Sequence, residues 1–200
     1  MAERKNDPYH RMAKEQGYRS RAAFKLIQLN ERFGFFRGAK YILDLGASPG
    51  GWLQVASEAV GPDGLVLGVD LEKIQDTDFE NVKTIVGDIL NDDVVDEILR
   101  VIPSRMDVVL SDLAQNVSGS WDLDQYRQIE LAKKALSVSM KVLKRDGYFV
   151  VKVFQGSEYD NFMKEMKGAF KSVKVHKPKA SRKGSAELFL VAKTLKNPYS

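Results

Sequence analysis

The chain has 200 residues, 44% of them hydrophobic, which suits one α/β domain with a real core. It contains no cysteine and only His10 and His176, which excludes disulfides, thiolate metal sites and cysteine nucleophiles and argues against a histidine-based metal site. The net charge of +4 divides unevenly: residues 1–40 sum to +6, 161–200 to +8 and 41–160 to −10, so two basic ends flank an acidic centre.

In chain order, the spacing of apolar residues predicts a helix near Ser20–Phe33, a strand near Tyr41–Leu45 and a helix near Gly51–Val60. Strands follow near Leu65–Val69 and Lys83–Val86, then a helix near Asp92–Val101 and a strand near Asp107–Leu110. A helix over Leu123–Leu143 carries Ile129, Ala132, Leu136, Met140 and Leu143 at helical spacing and is expected to close at Arg145-Asp146-Gly147. The last third reads as a strand near Tyr148–Phe154, a helix near Glu158–Phe170, and strands near Ser172–His176 and Glu187–Ala192. Such alternation implies a mostly parallel sheet with helices on both faces and ligands at the carboxyl ends of its strands. The basic stretch Lys177–Ser185 joins the last two strands without a helix, so the final strand is expected to run antiparallel. No repeat or linker divides the chain, and one domain is expected: a basic RNA-facing segment over 1–40 and a sheet core over 41–192. The charged N-terminus lacks the apolar core of a signal peptide and no apolar run could span a membrane, so a cytoplasmic protein without a membrane partner is expected.

Two stretches carry chemistry. ILDLGASPGGW, Ile42 to Trp52, is a strand, a glycine turn and a helix start. Gly46 permits a sharp turn, while Gly50 and Gly51 allow a ligand close to a helix N-terminus. Asp70, Asp88 and Asp112 end the next three strands; Asp70 is placed to accept from ribose hydroxyls and Asp88 from an adenine amino group. The turn is not G-x-G-x-x-G and no G-x-x-x-x-G-K-[ST] occurs, which weakens dinucleotide and nucleoside-triphosphate readings. With Asp44 also close, the carboxylates suit a nucleoside ligand of positive character, such as S-adenosylmethionine. The second stretch, GYFVVKVFQG, reads as a buried strand interrupted by Lys152. An ammonium there needs partners or a task, because desolvating it alone costs several kcal/mol or more.

Together with GYRSRAAFKL, VLSDLAQNVSG and SAELFLVA, these stretches resemble, in order, the FtsJ-like ribose 2′-O-methyltransferases, specifically those acting on a uridine of large-subunit (23S) rRNA. The resemblance runs from about Tyr18 to Ala192 and implies a Rossmann-like S-adenosylmethionine-dependent methyltransferase fold with a seven-stranded sheet. It places a catalytic Lys-Asp-Lys-Glu tetrad at Lys25, Asp112, Lys152 and Glu187, and cofactor contacts at Gly50, Trp52, Asp70, Asp88 and Asp112. One departure is Gln115, where the family commonly has proline.

As a neutral amine Lys152 would be a general base, favoured by burial or by Lys25; as an ammonium, favoured by Asp112 and Glu187, it would orient the hydroxyl and stabilise an alkoxide. Plainer roles compete: Lys25 on a solvated helix face, Asp112 capping a turn, Glu187 guarding an edge strand. A 2′-hydroxyl nucleophile requires RNA. Arg19, Arg21, Lys177, Lys179, Arg182 and Lys183 are expected to meet phosphate, with Arg4, Lys5, Arg11, Lys14, Arg37 and Lys174 beside them. Tyr18, Phe24 and Trp121 are candidates to stack on a base, against a role in the core. The expected partner is rRNA in the large ribosomal subunit, met by a monomer without metal; tRNA methylation and a noncatalytic assembly role are the alternatives, with an oxidoreductase disfavoured by the turn.

Overall fold

A computed structural model describes residues 7–75, 78–114, 118–182 and 184–197. Arg4, Lys5, Gln115 and Lys183 lie outside the described residues. The order of elements is α1 (Pro8–Glu15), α2 (Ala22–Phe33), β1 (Tyr41–Leu45), α3 (Gly51–Val60), β2 (Leu65–Asp70), β3 (Val82–Val86) and α4 (Asp92–Val101). There follow β4 (Met106–Ser111), α5 (Trp121–Val142), β5 (Leu143–Phe154), α6 (Tyr159–Ala169), β6 (Phe170–His176) and β7 (Glu187–Leu195). The seven strands form one sheet in the order β3-β2-β1-β4-β5-β7-β6. β1 to β5 pair in parallel, and β7 inserts antiparallel between β5 and β6.

Strand alternation sends successive side chains to opposite faces and so builds two cores. Leu43, Leu45, Val109, Phe149, Val151 and Val153 pack under α4, α5 and α6 through Ile98, Ile129, Ala132 and Phe162. Ile42, Val108, Leu110, Val150 and Phe189 face the other way, under Leu26 and Leu29 of α2 and Trp52 and Leu53 of α3. The strand order reverses between β1 and β4, which opens a crevice beyond their carboxyl ends.

Helix α1 is absent from the sequence-based reading. Its signal was present: Asp7 caps it by accepting from the amides of Tyr9 and His10, and Pro8 occupies its first position. A small third core of Ala13, Phe24 and Ala180 seats it on α2. The end of α5 also differs. The helix stops at Val142, and β5 begins at Leu143, which pairs with Met106 before the register shifts to Val108↔Tyr148. Gly147 therefore lies within a strand instead of capping a helix. A Cβ there would come 2.7 Å from Leu143 Cγ and 2.9 Å from the Asp107 carbonyl, so close packing, not a left-handed cap, requires the glycine.

Candidate active site

The crevice is built from the first turn outward. Gly46 has φ 81°, and a Cβ on it would stand 2.9 Å from the Leu113 backbone, so the turn after β1 lies directly against the loop after β4. Asp70 ends β2 and accepts from the Ser48 and Glu72 amides, each at 2.9 Å, which fixes its carboxylate across the turn. Asp88, just past β3, accepts from the Leu90 amide at 2.9 Å. Apolar Leu71, Val86 and Leu90 stay exposed beside these two carboxylates at the same edge.

Asp44 sits one residue before the end of β1, fully buried, and neither carboxylate oxygen has a hydrogen-bond partner. Burial pushes its pKa well above the usual carboxylate range, and the neighbouring charges of Asp112 and Asp70 push it further. A group positioned between these acids and carrying positive charge would relieve that repulsion. Over the glycines the space is already in use. Arg19 lies against Gly50 and donates to the Gln75 carbonyl at 2.7 Å, and Ser20 makes the close approach at Gly51 that sequence alone assigned to a ligand. Trp52 is buried, its indole N–H donates to the Ala22 carbonyl at 2.8 Å, and its ring packs 5.9 Å from Phe189. The ring joins α2, α3 and β7 at the buried start of α3, whose first amides lack intrahelical acceptors.

On the other side of the crevice the four residues of the expected tetrad meet as two ion pairs. Lys152 Nζ stands 2.8 Å from Asp112 Oδ1 and donates to the Asp112 carbonyl at 2.9 Å. Alignment favours the carbonyl; Oδ1 itself receives no well-directed hydrogen bond. Lys25 Nζ pairs with Glu187 Oε2 at 2.6 Å, and Ser181 donates to Glu187 Oε1 at 2.7 Å. Lys152 is directly opposite Phe189 in the β5–β7 ladder, so Glu187, two residues from Phe189, is its diagonal neighbour on the same side of the sheet. All four side chains are largely buried. β7 is an interior strand, so Glu187 is no edge-strand guard, and Lys25 is not on a solvated face.

Gln128, which sequence reasoning did not single out, links both sides of this pair. Its Nε2 donates to the carbonyls of Leu113 at 3.0 Å and Lys152 at 3.3 Å from a buried position on α5. Its only sequence signal was an amide on the apolar stripe of that helix. Ser181 gave none, since its role depends on a tertiary approach to Glu187.

The basic ends converge here. Arg21 is engaged by Asp7 and the Ala180 carbonyl and lies over Tyr9, so it clamps α1, α2 and the 177–182 segment together and is not a free phosphate contact. Arg11 and Lys14 on α1 and Lys177, Lys179 and Arg182 on the segment are exposed around that clamp. Lys177 also donates to the Ser185 carbonyl. Arg37 and Lys174 are exposed elsewhere. Among the aromatics, Phe24 is buried in the α1 junction and Tyr18 donates to Glu58 at 3.1 Å, whereas Trp121 is exposed. No helix among the described residues is long and apolar enough to cross a membrane.

The family model described as FtsJ-like methyltransferase matches residues 18–195. Ribosomal RNA large subunit methyltransferase E of Methanococcus aeolicus is 45% identical over 191 residues, covering 96% of this chain and 71% of that protein. The protein of the same name from Methanothermobacter thermautotrophicus is 45% identical over 195 residues, covering 98% and 92%. Among solved structures, a provisionally named ribosomal RNA methyltransferase of Plasmodium falciparum superposes with a TM-score of 0.78 at 30% identity, over 89% of this chain and 98% of that one. The O-methyltransferase TomG of Streptomyces achromogenes shares the fold, with a TM-score of 0.60 at 17% identity, over 93% and 87% of the two chains. By the extent of the family match and the identity to these relatives, the chain belongs to the FtsJ-like methyltransferases.

Proposed function

We propose that this protein methylates the ribose 2′-hydroxyl of a uridine in large-subunit (23S) rRNA, acting in the cytoplasm as a monomer during maturation of the large ribosomal subunit. The observation that carries the reading is the paired tetrad, Lys152 with Asp112 and Lys25 with Glu187, next to the glycine turn. The relatives named as large-subunit rRNA methyltransferases supply the polymer, and the exposed cations around Arg21 support it.

S-adenosylmethionine fits the other half of the crevice and supplies an electrophilic methyl group when bound. Asp70 would hold its ribose and Asp88 its adenine, while Asp112 offers negative charge to its methionine end, with the buried carboxyl of Asp44 behind it. Gly46, Gly50, Gly51 and Trp52 would shape the turn behind it, Gly46 packed against Leu113, Gly50 against Arg19 and Gly51 against Ser20.

Lys152 works as an ammonium. Both of its neighbours are acceptors: one donor is directed to the Asp112 carbonyl, the carboxylate lies alongside as counter-charge, and a further donor is left for the 2′-oxygen. That donor orients the oxygen and stabilises the negative charge that grows as its proton is released to solvent. Asp112 keeps Lys152 in place, and Gln128 fixes the strand that carries it. Lys25 and Glu187, held by Ser181, line the nucleotide side. Holding oxygen and methyl in line contributes roughly 7–11 kcal/mol to such a step.

The test is methyl transfer from labelled S-adenosylmethionine to naked large-subunit rRNA, isolated large subunits and tRNA, with nucleoside analysis of the product. 2′-O-methyluridine in large-subunit RNA is expected. Transfer to tRNA alone would move the substrate, and binding of cofactor and RNA without transfer would favour an assembly role.

A further inference from the structure

We infer that Trp121, backed by Phe154, is the platform on which the base of the target nucleotide stacks; this rests on the reading of the site as an RNA ribose methyltransferase. Trp121 opens α5 and is 53% exposed, a large apolar ring left at the surface beside the site. Its ring lies 6.1 Å from that of Phe154 with planes only 20° apart, so one face is covered and a parallel slot remains for a second flat ring.

The position of this pair matches a single nucleotide. Phe154 is two residues beyond Lys152 on β5, about 6.6 Å further along the strand, and strand alternation puts both on one side of the sheet. Phe154 is opposite Glu187, as Lys152 is opposite Phe189. Phe154 is thus level with Glu187 of the tetrad and one layer out from Lys152, and Trp121 caps it at the same carboxyl end of the sheet, where the base of a ribose held at Lys152 is placed by this inference.

The platform is rigidly tied to the catalytic strands. Gln128 ties α5 to the carbonyls of Lys152 and Leu113. Asp124 accepts from the Ser118 amide at 2.9 Å and holds the loop that leads into the helix. Gln125 lies against Gly156, two residues beyond β5, where the absence of a side chain lets its amide approach. Stacking accepts any base, so Trp121 sets affinity and the placement of the ribose, and does not select uridine.

Two measurements test the assignment. In steady-state transfer to the preferred RNA, Trp121→Ala is expected to lower kcat/KM about 5- to 150-fold, mostly through KM, with cofactor affinity and thermal midpoint unchanged. Trp121→Phe restores most of the loss, and Leu123→Ala, an exposed neighbour on the same helix, behaves as wild type. In the second, a short uridine-containing RNA is titrated into protein saturated with S-adenosylhomocysteine. The only two tryptophans are buried Trp52 and exposed Trp121, so quenching of indole emission is expected in wild type and lost in Trp121→Phe. A wild-type KM for Trp121→Ala, or quenching that persists in Trp121→Phe, overturns the assignment. If Trp121→Ala melts early, Trp121→Phe and the quenching decide. Quenching without methyl transfer by wild type overturns the reaction reading and leaves the platform standing.

Discussion

The two ends of the sheet use the same side chain in opposite ways. At the amino ends of the strands, Asp107 of β4 accepts from the amides of Lys40 and Tyr41, each at 2.9 Å, and pairs with Lys144 at 2.5 Å. At the carboxyl ends, Asp44 is fully buried with no hydrogen-bond partner among the described residues, and Asp112 Oδ1 faces Lys152 without a well-aligned bond. Satisfied acids hold elements together, whereas a buried acid left unsatisfied costs stability and persists where a ligand will complete it. The contrast argues, independently of any relative, for placing the proposed site at the carboxyl ends.

The largest expected effect lies at the carboxyl end. Lys152→Ala should lower kcat by about 10²–10³-fold or more, the scale seen when one donor to a developing oxyanion is removed, while isothermal titration still registers the cofactor. At the amino end the opposite split is expected. Asp107→Ala orphans two amides and an ammonium and should cost about 1–3 kcal/mol of stability in denaturant titration, with kcat of the folded protein unchanged.

Titration sharpens the same comparison. Burial works against the charge of Asp107, but Lys144 and the two amides outweigh it and hold its pKa below the ordinary value. Its contribution is therefore present above the ordinary carboxylate range and lost as pH falls through the depressed value. Asp44 has the reverse sign. Its raised pKa favours the folded state at acid pH, and that contribution fades as pH rises above the ordinary carboxylate value and through the raised one. Thermal midpoints across about pH 4 to 9 should decline less steeply with rising pH in Asp44→Asn, while Asp107→Asn should flatten the acid limb instead. The smallest effect belongs to the surface: Lys179→Ala with Arg182→Ala should weaken RNA binding severalfold and reduce the slope of log affinity against log salt by about two.

Much of this was legible in the chain. The apolar run around Lys152 marked a buried cation, and the Asp-terminated strands marked the crevice, because strand periodicity and charge burial are local physics. The tetrad depended on resemblance, since Lys25 and Glu187 are 162 residues apart and their meeting requires β7 to insert beside β5. What escaped was set by tertiary packing. Gly147 looked like a helix cap because sequence does not show the Asp107 carbonyl that crowds it. Arg21 looked like a phosphate ligand because its partners, Asp7 and Ala180, come from distant parts of the chain. Gly51 looked open to a ligand because Ser20 approaches it only after α2 docks on α3.

The most direct test of the central claim is a single-turnover rate of methyl transfer at saturating cofactor and RNA, for wild type, Lys152→Ala and Asp107→Ala side by side. The expected result is collapse of the rate in Lys152→Ala alone, with 2′-O-methyluridine as the wild-type product. A Lys152→Ala rate within a few-fold of wild type would show that the paired ammonium does not act on the reacting oxygen.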